Sequence, residues 1–154
     1  MMGTTHALGG AVVGAAVGAA FGDPLAGLAA GILGGLLPDI DTPGSIMGRK
    51  IPIIPTVLSA VFGHRSITHT LYFALLVGAL FSALGPLLHL PAALLALAGG
   101  AGAVSHLALD SLTRSGITPL PPLPKHFAGP LVTGDVISES FVSLLLLALL
   151  FLVF

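Results

Sequence analysis

His106 and Asp110 stand four residues apart near the end of a long apolar run, a spacing that puts an imidazole and a carboxylate on one face of a helix. Ionisable groups in apolar surroundings are costly unless paired or ligated. A neutral imidazole beside a carboxylate is also a donor set for a divalent metal ion. Other segments carry the same chemistry. His6 lies near the first residue, Asp39 and Asp41 flank a single residue after Pro38, His64 and His69 surround Arg65, and Glu139 opens the last apolar run. Taken singly these are unremarkable: His6 reads as a terminal polar residue, Asp39 and Asp41 as caps, Glu139 as a first-turn partner of a helix dipole. Taken together, His6, Asp39, Asp41, His64, His69, His106, Asp110 and Glu139 form a set of eight candidate ligands, more than one tetrahedral zinc takes. The set points to two or three divalent ions, zinc first, with manganese or magnesium also suited to the carboxylates. Sites of this type hydrolyse phosphoesters, because one ion lowers the pKa of water toward about 7 while its neighbours hold the attacking and leaving oxygens. Arg65, between two ligands, is placed to bind a phosphate-like group through its planar fork. Asp41, Arg65 and Asp110 are the expected catalytic groups.

The elements that must bring these residues together are apolar. Of 154 residues, 55% are hydrophobic and only 7% charged, and the mean hydropathy of +1.09 lies far above that of a soluble domain. Lipid is the main solvent of such a chain. Apolar segments run from Ala7 to Phe21, Pro24 to Leu37, Thr70 to Leu88, Pro91 to Leu109 and Val136 to Phe154. The last three, at about 19 residues each, can span a hydrocarbon core of about 30 Å as helices. The first two are shorter. Gly22-Asp23-Pro24 puts a helix breaker, an N-cap residue and an N1 proline in succession, which favours a tight helical hairpin over one long helix. Small residues four apart on its arms, Gly10, Gly14 and Gly18 facing Gly27, Gly31 and Gly35, let two backbones approach closely. They also leave room for association between copies of the chain. The stretch from Pro38 to His69 is polar, and within it Ile51 to Phe62 is too short to span and reads as interfacial or re-entrant. A second Pro-rich loop covers Thr113 to Thr133. The expected fold is an all-α polytopic membrane bundle of about five helices, in one domain covering residues 1–154.

Counting crossings turns this list into a site. With the hairpin in place, His6, Asp39, Asp41, His64, His69, His106, Asp110 and Glu139 all emerge at one membrane face, and the opposite face receives Asp23 and His89. All five basic residues, Arg49, Lys50, Arg65, Arg114 and Lys125, lie in loops on the site's side, which places that side in the cytoplasm. No Lys or Arg precedes the first apolar segment, so it reads as part of the mature protein and not as a cleaved signal. A net charge of −1 without any basic run excludes a nucleic-acid footprint. The absence of Cys excludes thiolate ligands and nucleophiles.

Five blocks of sequence carry a resemblance. Thr5-His6, Leu37-Pro38-Asp39-Ile40-Asp41, His64-Arg65-Ser66-Ile67-Thr68-His69-Thr70, Ser105-His106-Leu107-Ala108-Leu109-Asp110, and Thr133-Gly134 with Glu139 follow in order through nearly the whole chain. This pattern resembles the inner-membrane-associated, metal-dependent hydrolase family sometimes labelled LexA-binding. Ser66, Thr70 and Asp135 depart from the family pattern at positions where Gly, Ser and Ser are expected, and none of the three is a ligand candidate. The order of ligands also shows a distant resemblance to zinc-dependent phospholipase C, which implies a phospholipid or other phosphodiester substrate.

The reading is therefore a membrane-bound metal-dependent hydrolase that cleaves a phosphoester in a phospholipid or lipid-linked substrate, with membrane lipid and an amphiphilic phosphoester as its partners. A divalent metal transporter or sensor, or a membrane scaffold with structural metal, are the alternatives. Helices that are apolar along most of their length count against a transport pathway.

Overall fold

The computed structural model describes residues 1–50, 53, 55, 56 and 67–154, and the expectation for Ile51 to Phe62 lies almost wholly outside them. Five α-helices are present among the described residues: α1 (Gly3–Ala20), α2 (Pro24–Leu36), α3 (Leu71–Leu88), α4 (Ala92–Ser111) and α5 (Val136–Phe151). Short 3-10 helices follow α2 at Leu37–Asp41 and at Gly48–Lys50. No strand occurs among the described residues; the Pro-rich loop instead makes two isolated bridges, Thr113 with Leu131 and Ile117 with Phe127.

The hairpin forms where the sequence placed it. Gly22 adopts φ 79°, a left-handed conformation that a side chain would strain. Asp23 then caps α2 by accepting a hydrogen bond from Ala26 N at 2.9 Å, and Pro24 takes the first helical position. The facing glycines let the arms touch backbone to backbone: a Cβ on Gly31 would lie 2.7 Å from Gly14 Cα. α4 crosses the same region. A Cβ on Gly102 would lie 2.9 Å from Gly35 N, and one on Gly99 would meet the Phe81 ring of α3 at 2.7 Å. Small residues thus create a three-helix crossing of α1, α2 and α4, with Phe81, Val77, Leu94 and Leu95 filling the space toward α3.

Two expectations about helix bounds shift. α1 starts at Gly3, four residues before the apolar run, so His6 lies inside the first helix. Pro24–Asp41 is long and apolar enough to cross a bilayer, as are Leu71–Leu88 and Ala92–Ser111, whereas Val136–Phe151 is a shorter apolar helix. Winding of Leu37–Asp41 onto the end of α2 accounts for the first change in length, since Pro38 fits the opening turn of a helix, where its missing N–H is not needed. At the other end, α5 unwinds at Leu152, and its 16 residues span about 24 Å. Large side chains such as Leu75, Leu87, Ile137 and Phe141 point outward from the bundle, as lipid contact requires.

Each helix end near the candidate ligands is secured locally. Thr70 caps α3, accepting from Phe73 N at 3.2 Å and donating to Ile67 O at 2.8 Å, while Leu71 N donates to Pro119 O of the second loop at 2.9 Å. Asp135 caps α5 through Ser138 N and the Ser138 hydroxyl, both at 2.9 Å. Those bonds hold its carboxyl below the usual carboxylate range.

Candidate metal centre

His6 in the first helix, Asp39 in the 3-10 turn, His69 before α3, and His106 and Asp110 near the end of α4 meet at one end of the bundle. His6, His69, His106 and Asp110 are fully buried, and the Asp39 side chain is 15% exposed. The two turns at Asp23 and His89 lie at the other end, as the crossing count requires.

The tautomers follow from the hydrogen-bond network. His106 Nδ1 is 2.8 Å from the Gly35 carbonyl oxygen, which accepts only, so Nδ1 carries the proton and Nε2 presents a lone pair. Thr68 Oγ1 donates to Asp41 Oδ2 at 2.9 Å. Its oxygen is then the acceptor for His69 Nδ1 at 3.1 Å, which leaves His69 Nε2 with a lone pair too. These two Nε2 atoms face each other at 3.3 Å. Asp110 Oδ2 lies 3.5 Å from His69 Nε2 and 3.6 Å from His106 Nε2, and Asp39 Oδ1 lies 3.7 and 3.8 Å from the same atoms. In those tautomers two imidazole lone pairs face each other, and the Asp39 and Asp110 carboxylates each lie beside the pair. Such a set could hold a divalent cation. Orientation of each imidazole by an acceptor on its far nitrogen is the usual outer support of a metal ligand.

A second grouping adjoins the first. His6, Asp39 and His106 can offer donor atoms within 4.8 Å of one another, as can His69, His106 and Asp110. The His6 ring stacks on His106 with centroids 3.6 Å apart, and His6 Nε2 lies 3.2 Å from Asp110 Oδ1. Neither nitrogen of His6 has a hydrogen-bond partner among the described residues. Asp110 therefore turns one oxygen to His6 and the other to His69 and His106, the disposition of a carboxylate that can bridge two ions. Its Oδ1 also accepts from the Met1 amine.

Of the remaining expected site residues, Asp41 and Glu139 lie among the described ones. Asp41 is buried, and its oxygens receive the hydroxyls of Thr42 and Thr68, the second of which also meets His69 Nδ1. His64 and Arg65 lie outside the described residues. Glu139 faces α1: Oε2 accepts from the Thr5 hydroxyl, and Oε1 accepts from Met2 N at 2.9 Å and Gly134 N at 3.1 Å. This braces α5 against the helix that carries His6. Glu139→Ala is expected to lower the thermal unfolding midpoint, at a cost of roughly 1–3 kcal/mol for the stranded partners, with metal content unchanged. Elemental analysis beside thermal unfolding checks this, and loss of an equivalent would make Glu139 a ligand. Thr68 and the Gly35 carbonyl join the centre as orienting groups; the Thr68-His69 adjacency is a sequence signal for the first, whereas a backbone oxygen leaves none.

Comparison with known proteins agrees with this picture at the level of family. The chain is 42% identical over 81 residues to "Uncharacterized protein YvsG" of Bacillus subtilis (strain 168), a match covering 53% of this chain and 48% of that protein, so the shared part is about half the length of the relative. No solved structure matches. The family model described as YdjM inner membrane protein matches residues 1–154, and the helical membrane bundle described above belongs to that family.

Proposed function

We propose that this protein is a membrane-bound, metal-dependent hydrolase that cleaves a phosphoester in a phospholipid or lipid-linked substrate. The observation that carries the reading is the pair of donor groups that share His106, His69 with Asp110 on one side and His6 with Asp39 on the other. His6, Asp39, His69, His106 and Asp110 would hold two or three divalent ions, zinc before manganese or magnesium. Ions bound there supply Lewis acidity and water ionised near neutral pH. The chain's own part is to fix the donors: Gly35 O and Thr68 set the two imidazole tautomers, and Asp41 anchors Thr68. Asp39, at the partly exposed edge, marks the side from which a substrate approaches.

An amphiphilic substrate suits the surroundings. An apolar groove of about 530 Å³, lined by Ile67, Thr70, Tyr72, Phe73 and Leu76, also has Thr68, the neighbour of His69, in its wall, and its size and character suit a hydrocarbon chain. The five basic residues on the loop side support a cytoplasmic position for the centre.

Turnover of phospholipid and of soluble phosphodiesters by protein purified in detergent tests the reading. Activity with zinc or manganese should be abolished by a chelator, restored by the metal, and lost in His106→Ala and Asp110→Ala. Equal turnover by these variants and the wild type would refute it.

A further inference from the structure

A second cavity, of about 500 Å³, opens against the edge of the metal centre, and Asp39 and Arg49 both line it. The rest of its polar wall comes from Thr4 and Thr133, whose hydroxyls can donate into it, and from Thr42 and Ser45, whose protons go to Asp41 Oδ1 and Asp39 O. Ser45 ties the acidic and basic sides together. Its hydroxyl donates to Asp39 O at 2.7 Å and accepts from Gly48 N at 2.8 Å, so the turn that bears Asp39 and the turn that bears Arg49 are held by one side chain. Arg49 Nε donates to Ser45 O at 3.3 Å, a contact that orients the guanidinium and uses one of its five donors.

We propose that this cavity binds the phosphoryl group of the substrate and that Arg49 is its anion-binding residue, a role beyond the contribution of Arg49 to the charge of the loops. The proposal rests on the metal reading above. A lone Asp39 carboxylate would repel an anion from this cavity, whereas Asp39 neutralised by a divalent ion would present one positive centre at its floor, with the Arg49 fork on its wall. Phosphate takes the fork of an arginine in two parallel bonds, and hydroxyls serve its remaining oxygens. The site therefore recognises a phosphate oxyanion, whether a lipid head group or a free phosphate.

Binding of inorganic phosphate to the full-length, zinc-loaded protein in detergent, followed by calorimetry with metal per chain measured in parallel, tests the assignment. Arg49→Gln should weaken phosphate binding by roughly tenfold, the loss of one charge-assisted contact, with the metal count unchanged. Arg49→Lys should recover part of it. Thr133→Glu, which adds a carboxylate to the wall at an exposed position, should weaken binding by about as much. Unchanged phosphate affinity in Arg49→Gln and Thr133→Glu, with metal in place, would overturn the proposal. Binding that depends on Arg49 but survives removal of metal would keep the anion site and overturn the metal reading beneath it. Competition by glycerol phosphate and by anionic phospholipid in nanodiscs separates the sources: displacement by the lipid assigns a head group, displacement by the soluble ester alone a free phosphate.

Discussion

Asp110→Asn is expected to empty most of the centre and to destabilise the fold together. Asp110 is the residue on which the cluster depends: His6 Nε2 at 3.2 Å, His69 Nε2 at 3.5 Å, His106 Nε2 at 3.6 Å and the Met1 amine all face its oxygens. The amide preserves volume but removes the negative charge that pairs with the buried Met1 amine and that a divalent ion would need. Removing one partner of a buried charged set costs about 3–5 kcal/mol, because the others remain buried without compensation. Elemental analysis of the purified variant should find at most half of the wild-type metal, and thermal unfolding should shift down even when metal is supplied in excess. Asp39→Asn gives the contrast. Asp39 keeps contact with solvent, so its loss should lower metal affinity with a smaller effect on stability. A variant at Asp110 that retained the full metal complement would mean that this carboxylate pairs with imidazoles and the amine alone.

The second large effect is expected at Gly31, which is not itself a ligand candidate. A Cβ there would press on the Gly10 carbonyl and lie 2.7 Å from Gly14 Cα, and on its other side the Gly31 carbonyl receives Gly102 of α4. These neighbours are backbone atoms, which cannot rotate aside as a side chain does. Gly31→Leu should therefore exceed the roughly 1–3 kcal/mol of an ordinary overpacked core and yield little monodisperse protein by size-exclusion chromatography. Gly35, one turn on, supplies the carbonyl that orients His106, so whatever Gly31→Leu protein is recovered should bind metal poorly as well. Gly22→Ala and Gly44→Ala serve as references. Neither position has an atom within 4 Å of a new Cβ, and only Gly22 has positive φ; Gly22→Ala should cost about 1–2 kcal/mol of conformational strain and Gly44→Ala nearly nothing. A well-behaved Gly31→Leu variant would show that the three helices can separate without losing the fold.

These two sites mark the boundary between what is local and what is assembled. The amino-acid sequence by itself determined the number of apolar segments, the break at Gly22-Asp23-Pro24 and hence which ends of the helices share a membrane face. Crossing parity follows from counting spans, so the convergence of His6, Asp39, His69, His106 and Asp110 was legible before any packing was known. The i,i+4 spacing of His106 and Asp110 set their common face, and the glycines four apart on α1 and α2 announced a close contact, because both depend on the helical period alone.

Tertiary structure decided which of the converging groups meet. Glu139 emerges on the correct face but turns to Thr5 and Met2, since α5 packs against α1 and leaves the centre to the other helices. Asp41, two residues from Asp39, accepts the Thr68 hydroxyl, while Asp39 lies near His69 and His106. The 3-10 winding of Leu37–Asp41 sets that difference, and no periodicity distinguishes it in advance. The crossing of α4 over Gly31 and Gly35, the carbonyl that orients His106, and the cavity that joins Arg49 to Asp39 each involve residues far apart in the chain. Contacts of that kind depend on the angles at which helices cross, which composition and spacing leave open.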